Sequence, residues 1–83
     1  MNEGDIILLT DDEIQIRRLL EITLNSNGYR TIFASNGREC IITAANNHPA
    51  LIILDLGLPD MDGIEVLLKL REWYTKPDRK SVV

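Results

Sequence analysis

The sequence has few of the residues that build disulfides, zinc sites and membrane spans. It contains one cysteine, Cys40, and one histidine, His48, among 83 residues. A single cysteine cannot form an internal disulfide and fits a reducing compartment, and so few soft ligands argue against zinc. No apolar run approaches the ~20 residues that span a membrane, and the acidic residues 1–5 lack a signal-peptide core. We therefore expect a cytoplasmic protein.

An excess of positive charge is also missing. Lys and Arg number 9 against 13 Asp and Glu, which gives a net charge of -4. Domains that bind nucleic acid usually carry a basic patch, and none stands out here, so we expect no direct contact with nucleic acid. At this length the chain has room for one small domain. We expect residues 1–83 to form that single domain.

What the sequence does contain is an alternation of strand-like and helix-like segments. Strands are predicted at residues 6–9, 29–34 and 50–55, which are apolar or rich in β-branched and aromatic side chains. A helical pattern follows each of them. This order predicts an α/β fold with a parallel sheet and right-handed crossovers. In a doubly wound sheet of this kind the strand order is 2-1-3.

The sequence also gives predictions for the three helices and for the last residues of the chain. In the first helix four apolar residues lie on one face at helical spacing: Ile16, Leu19, Leu20 and Leu24. Cys40, on the second helix, is predicted to be a small buried side chain. The third helix is predicted from about Gly63 to residues 74–76, before Pro77. Residues 78–83 begin with charges and end in Val-Val, so a short fourth strand, a frayed end and an altered or cut sequence all remain open.

The segment around Asp55 organises the rest of the sequence. Asp55 follows a run of four apolar residues and is itself followed by the turn residues Gly57, Pro59 and Gly63. An acid in this position lies at the carboxyl end of a buried strand. In open α/β sheets, ligands bind at that edge. We therefore expect Asp55 to be a functional residue, because a carboxylate placed there has little structural value.

Asp11 and Asp12 follow the first strand in the same way. With order 2-1-3 the first and third strands are neighbours, so these two acids and Asp55 are predicted to converge. Like charges that close repel each other, and Mg²⁺ is the cation that carboxylate oxygens suit best. A carboxylate can also attack phosphorus and form an acyl phosphate. A structural alternative stays open, in which Asp12 caps the first helix and Asp62 caps the third.

Two segments together carry a resemblance to a known family. Residues 8–13, Leu-Leu-Thr-Asp-Asp-Glu, and residues 53–63, Ile-Leu-Asp-Leu-Gly-Leu-Pro-Asp-Met-Asp-Gly, resemble the receiver domain of bacterial two-component response regulators. The similarity extends from about residue 6 to about residue 77. Within the family, residues 54–73 look most like the KdpE-like regulators of potassium transport in the OmpR/PhoB class.

The resemblance implies a fold, a function and a role for each site residue. The fold would be flavodoxin-like, as in CheY, and the chain would act in signalling and not as an enzyme. Asp55 would accept a phosphoryl group from a sensor histidine kinase. Asp12 would bind Mg²⁺ directly, Asp11 mainly through water, and the backbone carbonyl of Gly57 would be a third ligand. The full-length protein would regulate transcription.

The chain also departs from the family pattern. Receiver domains have five strands, whereas three are predicted here. The family's phosphate-contacting Ser or Thr would fall near Val82, with Ser81 one residue early, and its Lys and switch aromatic have no counterpart in the sequence. We therefore expect an N-terminal receiver fragment, truncated at its carboxyl-terminal side and without a DNA-binding domain. Phosphorylation would be slow or unstable, and an exposed sheet edge would favour a homodimer or larger assembly.

Parts of the sequence also fit two other functions. Asp60-Met61-Asp62-Gly63 has the D-x-D-G form of haloacid-dehalogenase-type phosphohydrolases, but in those enzymes the first Asp directly follows an apolar strand, and here that strand ends at Asp55. The second alternative is a receiver-like interaction module that no longer accepts phosphate. The intact acids argue against it and the short carboxyl-terminal part argues for it.

Overall fold

The structure is a computed structural model, and it describes residues 2–72 and 81–83. Its elements, in chain order, are β1 (Ile6–Thr10), α1 (Ile14–Ser26), β2 (Arg30–Ala34), α2 (Gly37–Asn47), β3 (Leu51–Leu54), α3 (Gly63–Arg71) and β4 (Ser81–Val82). The strands form a parallel sheet in the order β2-β1-β3-β4. The predicted α/β fold, with three β-α units and strand order 2-1-3, is confirmed.

β1 is the central strand, and its sequence explains why. Ile7, Leu8 and Leu9 have essentially no exposed surface, as expected for a parallel strand that is covered on both faces. Leu8 pairs with Ile32 of β2 and with Ile52 of β3. It belongs to a core cluster that extends into α2 and α3. Because side chains alternate along a strand, Ile7 and Leu9 face the opposite side.

α1 contacts β1 and β2 but buries none of its residues fully. Of the four residues on the predicted apolar face, Leu20 and Leu24 are half-buried. Ile16 and Leu19 are 40% and 62% exposed. The described part of the chain places no second helix beside α1, so the sheet covers only the strip of α1 that lies directly against it. Cys40 of α2 is fully buried, as predicted.

The end of the chain settles one of the open alternatives. Ser81 and Val82 form a short fourth strand against Leu51 and Ile52. Beyond the strand, the N–H of Val83 donates to the carbonyl of Ile52 at 2.7 Å, and the N–H of Leu54 donates to the carbonyl of Val83 at 2.6 Å. β3 is therefore paired on both sides. Self-association through this edge of the sheet stays a prediction.

Two remaining predictions concern the ends of helices and membrane spans. The predicted end of the third helix, at residues 74–76, lies outside the described residues, as does residue 73. Within residues 2–72, no helix combines the length and the apolar character that crossing a membrane requires.

Candidate functional site

The sheet brings the ends of β1 and β3 side by side. Thr10, the last residue of β1, pairs with Leu54, the last residue of β3. One residue further on, the N–H of Asp55 donates to the carbonyl of Thr10 at 2.9 Å, and the N–H of Asp11 donates to the carbonyl of Ala34 at 3.2 Å. The sheet's own hydrogen bonds therefore fix the backbones of both acids.

Three carboxylates converge at this edge. One oxygen each from Asp11, Asp12 and Asp55 lies within 4.8 Å of the other two. Asp11 and Asp55 are half-buried and Asp12 is exposed. No described Lys or Arg forms an ion pair with them, so their mutual repulsion is not offset by the residues that the structure describes. Oxygen atoms are the ligands that Mg²⁺ prefers, commonly one or two carboxylates together with water molecules.

Backbone hydrogen bonds orient two of the three carboxylates. Oδ1 of Asp11 accepts from the N–H of Glu13 at 2.9 Å, and Oδ1 of Asp55 accepts from the N–H of Gly57 at 3.1 Å. No described residue donates a hydrogen bond to Oδ2 of either carboxylate. Asp12 accepts no hydrogen bond from a described residue.

The capping alternative can now be decided for both helices. The residue at the N-cap of α1 is Glu13, without a side-chain hydrogen bond, so capping by Asp12 is wrong. The reason is that α1 begins one residue later than that alternative assumed. Asp62 does cap α3, because its Oδ1 accepts from the N–H of Ile64 at 2.9 Å.

The loop after Asp55 is tightly closed. The N–H of Gly63 donates to the carbonyl of Leu56 at 3.2 Å, and a Cβ at Gly63 would lie only 2.5 Å from the Cα of Leu56. Only glycine allows this approach without displacing the backbone. Gly57, by contrast, is exposed, and a Cβ there would meet nothing closer than Oδ1 of Asp55 at 3.8 Å.

Asp60 has a role that sequence reasoning missed. Its Oδ1 accepts from the N–H of Gly37 at 2.7 Å, and its Oδ2 accepts from the N–H of Arg38 at 3.0 Å. The hydrogen bonds from Arg38 and Gly37 lower the pKa of Asp60 below its ordinary value. Both partners are backbone groups on another element, so no side-chain pattern in the sequence pointed to them.

The chain matches a described family over most of its length. The sequence model of the response regulator receiver domain matches residues 7–81. The chain belongs to this family. It is 51% identical over 72 residues to the transcriptional regulatory protein KdpE of Mycobacterium tuberculosis, covering 87% of this chain and 32% of that protein. It is 49% identical over 71 residues to the transcriptional regulatory protein SrrA of Staphylococcus aureus, and this match covers 86% of this chain and 30% of SrrA.

Solved receiver structures agree with the fold. The chemotaxis response regulator CheY4 of Vibrio cholerae matches with a TM-score of 0.86 at 29% identity, over 95% of this chain and 65% of that one. The response regulator TrrA of Thermotoga maritima, in complex with Mg²⁺ and BeF, matches with a TM-score of 0.79 at 28% identity. This match covers 95% of this chain and 84% of the TrrA chain. This receiver domain spans only about a third of the length of the curated relatives, 32% of KdpE and 30% of SrrA.

Three further residues of the receiver domain have surroundings that the structure describes: Thr10, Cys40 and Val82. The hydroxyl of Thr10 is buried and has no well-formed hydrogen bond. Burial raises the pKa of the Cys40 thiol, and the neighbouring Thr10 hydroxyl opposes that rise. Val82, near which the family's Ser or Thr was expected, pairs with Ile52 and packs against the core cluster.

Proposed function

We propose that this chain is the phospho-accepting receiver of a bacterial two-component system and that Asp55 is its phosphorylation site. The convergence of Asp11, Asp12 and Asp55 within 4.8 Å carries this proposal. We assign the nucleophile to Asp55 and not to Asp11 because the resemblance to receiver domains gives this role to the acid that follows the third strand. Oδ1 of Asp55 accepts the N–H of Gly57, and no described residue donates to its Oδ2. Asp62 and Asp60 are occupied at helix ends, which argues against a phosphohydrolase built on them.

The transfer needs only one bond to form and one to break. An oxygen of Asp55 attacks the phosphorus of a phosphohistidine on a sensor histidine kinase, and a new O–P bond gives an acyl phosphate. The P–N bond breaks at the same phosphorus, and its electron pair stays on the imidazole nitrogen, which then takes a proton. The sheet contributes by fixing where Asp55 stands relative to the two neighbouring acids.

The three carboxylates and the Gly57 carbonyl form a donor set that suits Mg²⁺. We assign direct ligation to Asp12 and Asp55, ligation mainly through water to Asp11, and a backbone ligand to Gly57. Bound there, Mg²⁺ would neutralise the carboxylates and the incoming phosphoryl oxygens. The complex of TrrA with Mg²⁺ and BeF supports this assignment by similarity.

Intact mass after incubation with acetyl phosphate tests the proposal. We expect a phosphoryl adduct that requires Mg²⁺, disappears in Asp55→Asn, and persists in the matched control Asp62→Asn. An adduct that forms equally well with EDTA, or that persists in Asp55→Asn, would contradict the assignment. No adduct on protein that is folded by circular dichroism would favour the interaction module, which binds partners without accepting phosphate.

The partners follow from the same proposal. We propose a sensor histidine kinase as the phosphoryl donor. We also propose a part in transcriptional regulation, because the relatives KdpE and SrrA are transcriptional regulatory proteins. A part in potassium transport is proposed on the resemblance of residues 54–73 to KdpE-like regulators alone. Self-association is proposed as well, because the described sheet ends beyond β3 at the two-residue strand β4 and α1 presents exposed apolar side chains. A monodisperse monomer at micromolar concentration, measured by light scattering, would refute self-association.

A further inference from the structure

We propose that Asp60 is a positioning residue. It ties the loop after Asp55 to the start of α2 and thereby holds Gly57 in place beside Asp55. The inference rests on the proposed function, because it concerns how the phosphorylation site is kept in shape. Asp60 itself does not touch the reacting atoms.

The tie is a two-oxygen contact between distant parts of the chain. Each carboxylate oxygen of Asp60 accepts one backbone N–H, from Gly37 at 2.7 Å and from Arg38 at 3.0 Å. These N–H groups belong to the first turn of α2, where backbone donors have no partner within the helix. A carboxylate is favoured there because the helix dipole is positive at that end. The contact fixes the orientation of Asp60 as well as its distance from α2.

The neighbours of Asp60 strengthen the same junction. Met61 packs so closely over Gly37 that a Cβ at Gly37 would overlap its side chain and that of Val66. On the other side of Asp60, Leu58 is buried in the core cluster. The far half of the loop, residues 58–61, is therefore attached to the core and to α2.

Gly57 is the part of the loop that depends on these attachments. It is exposed, and its one hydrogen bond to a described side chain is the N–H donated to Oδ1 of Asp55. Glycine is also the residue with the widest choice of backbone conformations. If residues 58–61 shift away from α2, we expect the N–H and carbonyl of Gly57 to turn with them. The partner of Asp55 and the proposed Mg²⁺ ligand would then move together.

α2 offers a matched control for this claim. Its N-cap residue, Asn36, accepts the N–H of Glu39 at 2.8 Å through its side chain. Asn36→Ala therefore removes a cap from the same helix end without removing a contact to the loop. If Asp60 only stabilised the helix, Asp60→Ala and Asn36→Ala should have similar effects on the Gly57 amide and on Mg²⁺ binding.

The experiment compares wild type, Asp60→Ala, Asp60→Asn and Asn36→Ala. The first measurement is the ¹H–¹⁵N chemical shift and exchange rate of the Gly57 amide, which needs neither metal nor phosphate. The second is Mg²⁺ affinity by calorimetry. We expect Asp60→Ala to move the Gly57 signal, speed its exchange and weaken Mg²⁺ binding about tenfold, the lower end for residues that orient ligands. Asp60→Asn keeps one acceptor oxygen, so its Gly57 amide and its Mg²⁺ affinity should lie between those of Asp60→Ala and wild type. Asn36→Ala should change neither the Gly57 amide nor the Mg²⁺ affinity.

An unchanged Gly57 signal in Asp60→Ala, or equal changes in Asp60→Ala and Asn36→Ala, would overturn the positioning role. If Asp60→Ala does not fold, the same comparison is made with Asp60→Asn. The amide measurement also separates this inference from the proposed function. A wild-type chain that binds no Mg²⁺ and accepts no phosphoryl group would refute the function, while the response of Gly57 would still decide the role of Asp60.

Discussion

The backbone N–H of Asp55 donates a hydrogen bond to the carbonyl of Thr10 at 2.9 Å. This bond continues the pairing of β3 with β1 one residue past Leu54. It places Asp55 next to the residue that follows Thr10, which is Asp11. The acidic cluster is therefore a consequence of strand register. The loops that follow the two strands determine only the orientation of the carboxylate groups.

Neutralising one acid of the cluster should stabilise the chain when no metal is bound. Asp12→Asn is the cleanest substitution, because Asp12 accepts no hydrogen bond from a described residue. We expect its unfolding free energy in EDTA at low salt to rise by about 0.5–1 kcal/mol, the scale of exposed charge pairs. Urea denaturation measures it, with Glu65→Gln as a control for the loss of one exposed negative charge outside the cluster.

The same variant should respond differently to Mg²⁺. A ligand that binds only the native state raises its stability, so wild type should gain stability with added Mg²⁺ and Asp12→Asn should gain much less. An equal gain in both proteins would show that the ion binds elsewhere.

The two loop glycines should differ sharply in their tolerance of alanine. Gly63→Ala places a Cβ 2.5 Å from the Cα of Leu56, and overpacking of this kind costs about 1–3 kcal/mol. Gly57→Ala meets only Oδ1 of Asp55 at 3.8 Å and should change the unfolding free energy little. Because its carbonyl remains, it should also still bind Mg²⁺. Denaturant unfolding of both variants is the measurement, and equal losses would contradict the loop geometry.

Stability should depend on the ionisation of Asp60. The N–H groups of Arg38 and Gly37 lower the pKa of Asp60 in the folded state below its ordinary value of 3.8. The stability that the Asp60 contact contributes is therefore complete at a pH above the ordinary pKa. It is lost as the pH falls through the lowered pKa of the folded state. Wild type and Asp60→Asn should differ most in unfolding free energy near pH 5 and converge at lower pH. A difference that stays constant across this range would contradict the contact.

Cys40 should be protected from thiol reagents in the folded chain. It is fully buried, and burial raises the pKa of its thiol, so little thiolate is present to react. We expect labelling by an aromatic disulfide at pH 8 to be at least about 100-fold slower in buffer than in urea. Rapid labelling of the native chain would mean that α2 opens readily.

The sequence was sufficient to predict the sheet and the meeting of the acids. Apolar runs that end in acids, alternating with helical patterns, define both the parallel order and the edge at which Asp55 stands. These features depend on local composition. The roles of Asp11, Asp12 and Gly57 as ligands are proposals that come from the resemblance to receiver domains.

What the sequence could not supply depends on contacts between distant residues. Asp60 contacts backbone groups of α2, and backbone N–H groups leave no mark in the sequence. Ile16 and Leu19 follow a helical period that fits a buried face, yet burial depends on what packs beside α1. The residues near Val82 could be assigned to a strand only once their pairing with Leu51 and Ile52 was known.

Trapping the phosphorylated residue chemically tests the central claim most directly. Borohydride reduces an aspartyl phosphate to homoserine, which marks the modified position in the chain. After acetyl phosphate and Mg²⁺, peptide mass spectrometry should find homoserine at position 55 and nowhere else, with aspartate retained at positions 11 and 12. Homoserine at either of those positions, or at none while a phosphoryl adduct is present, would contradict the assignment of Asp55 as the acceptor.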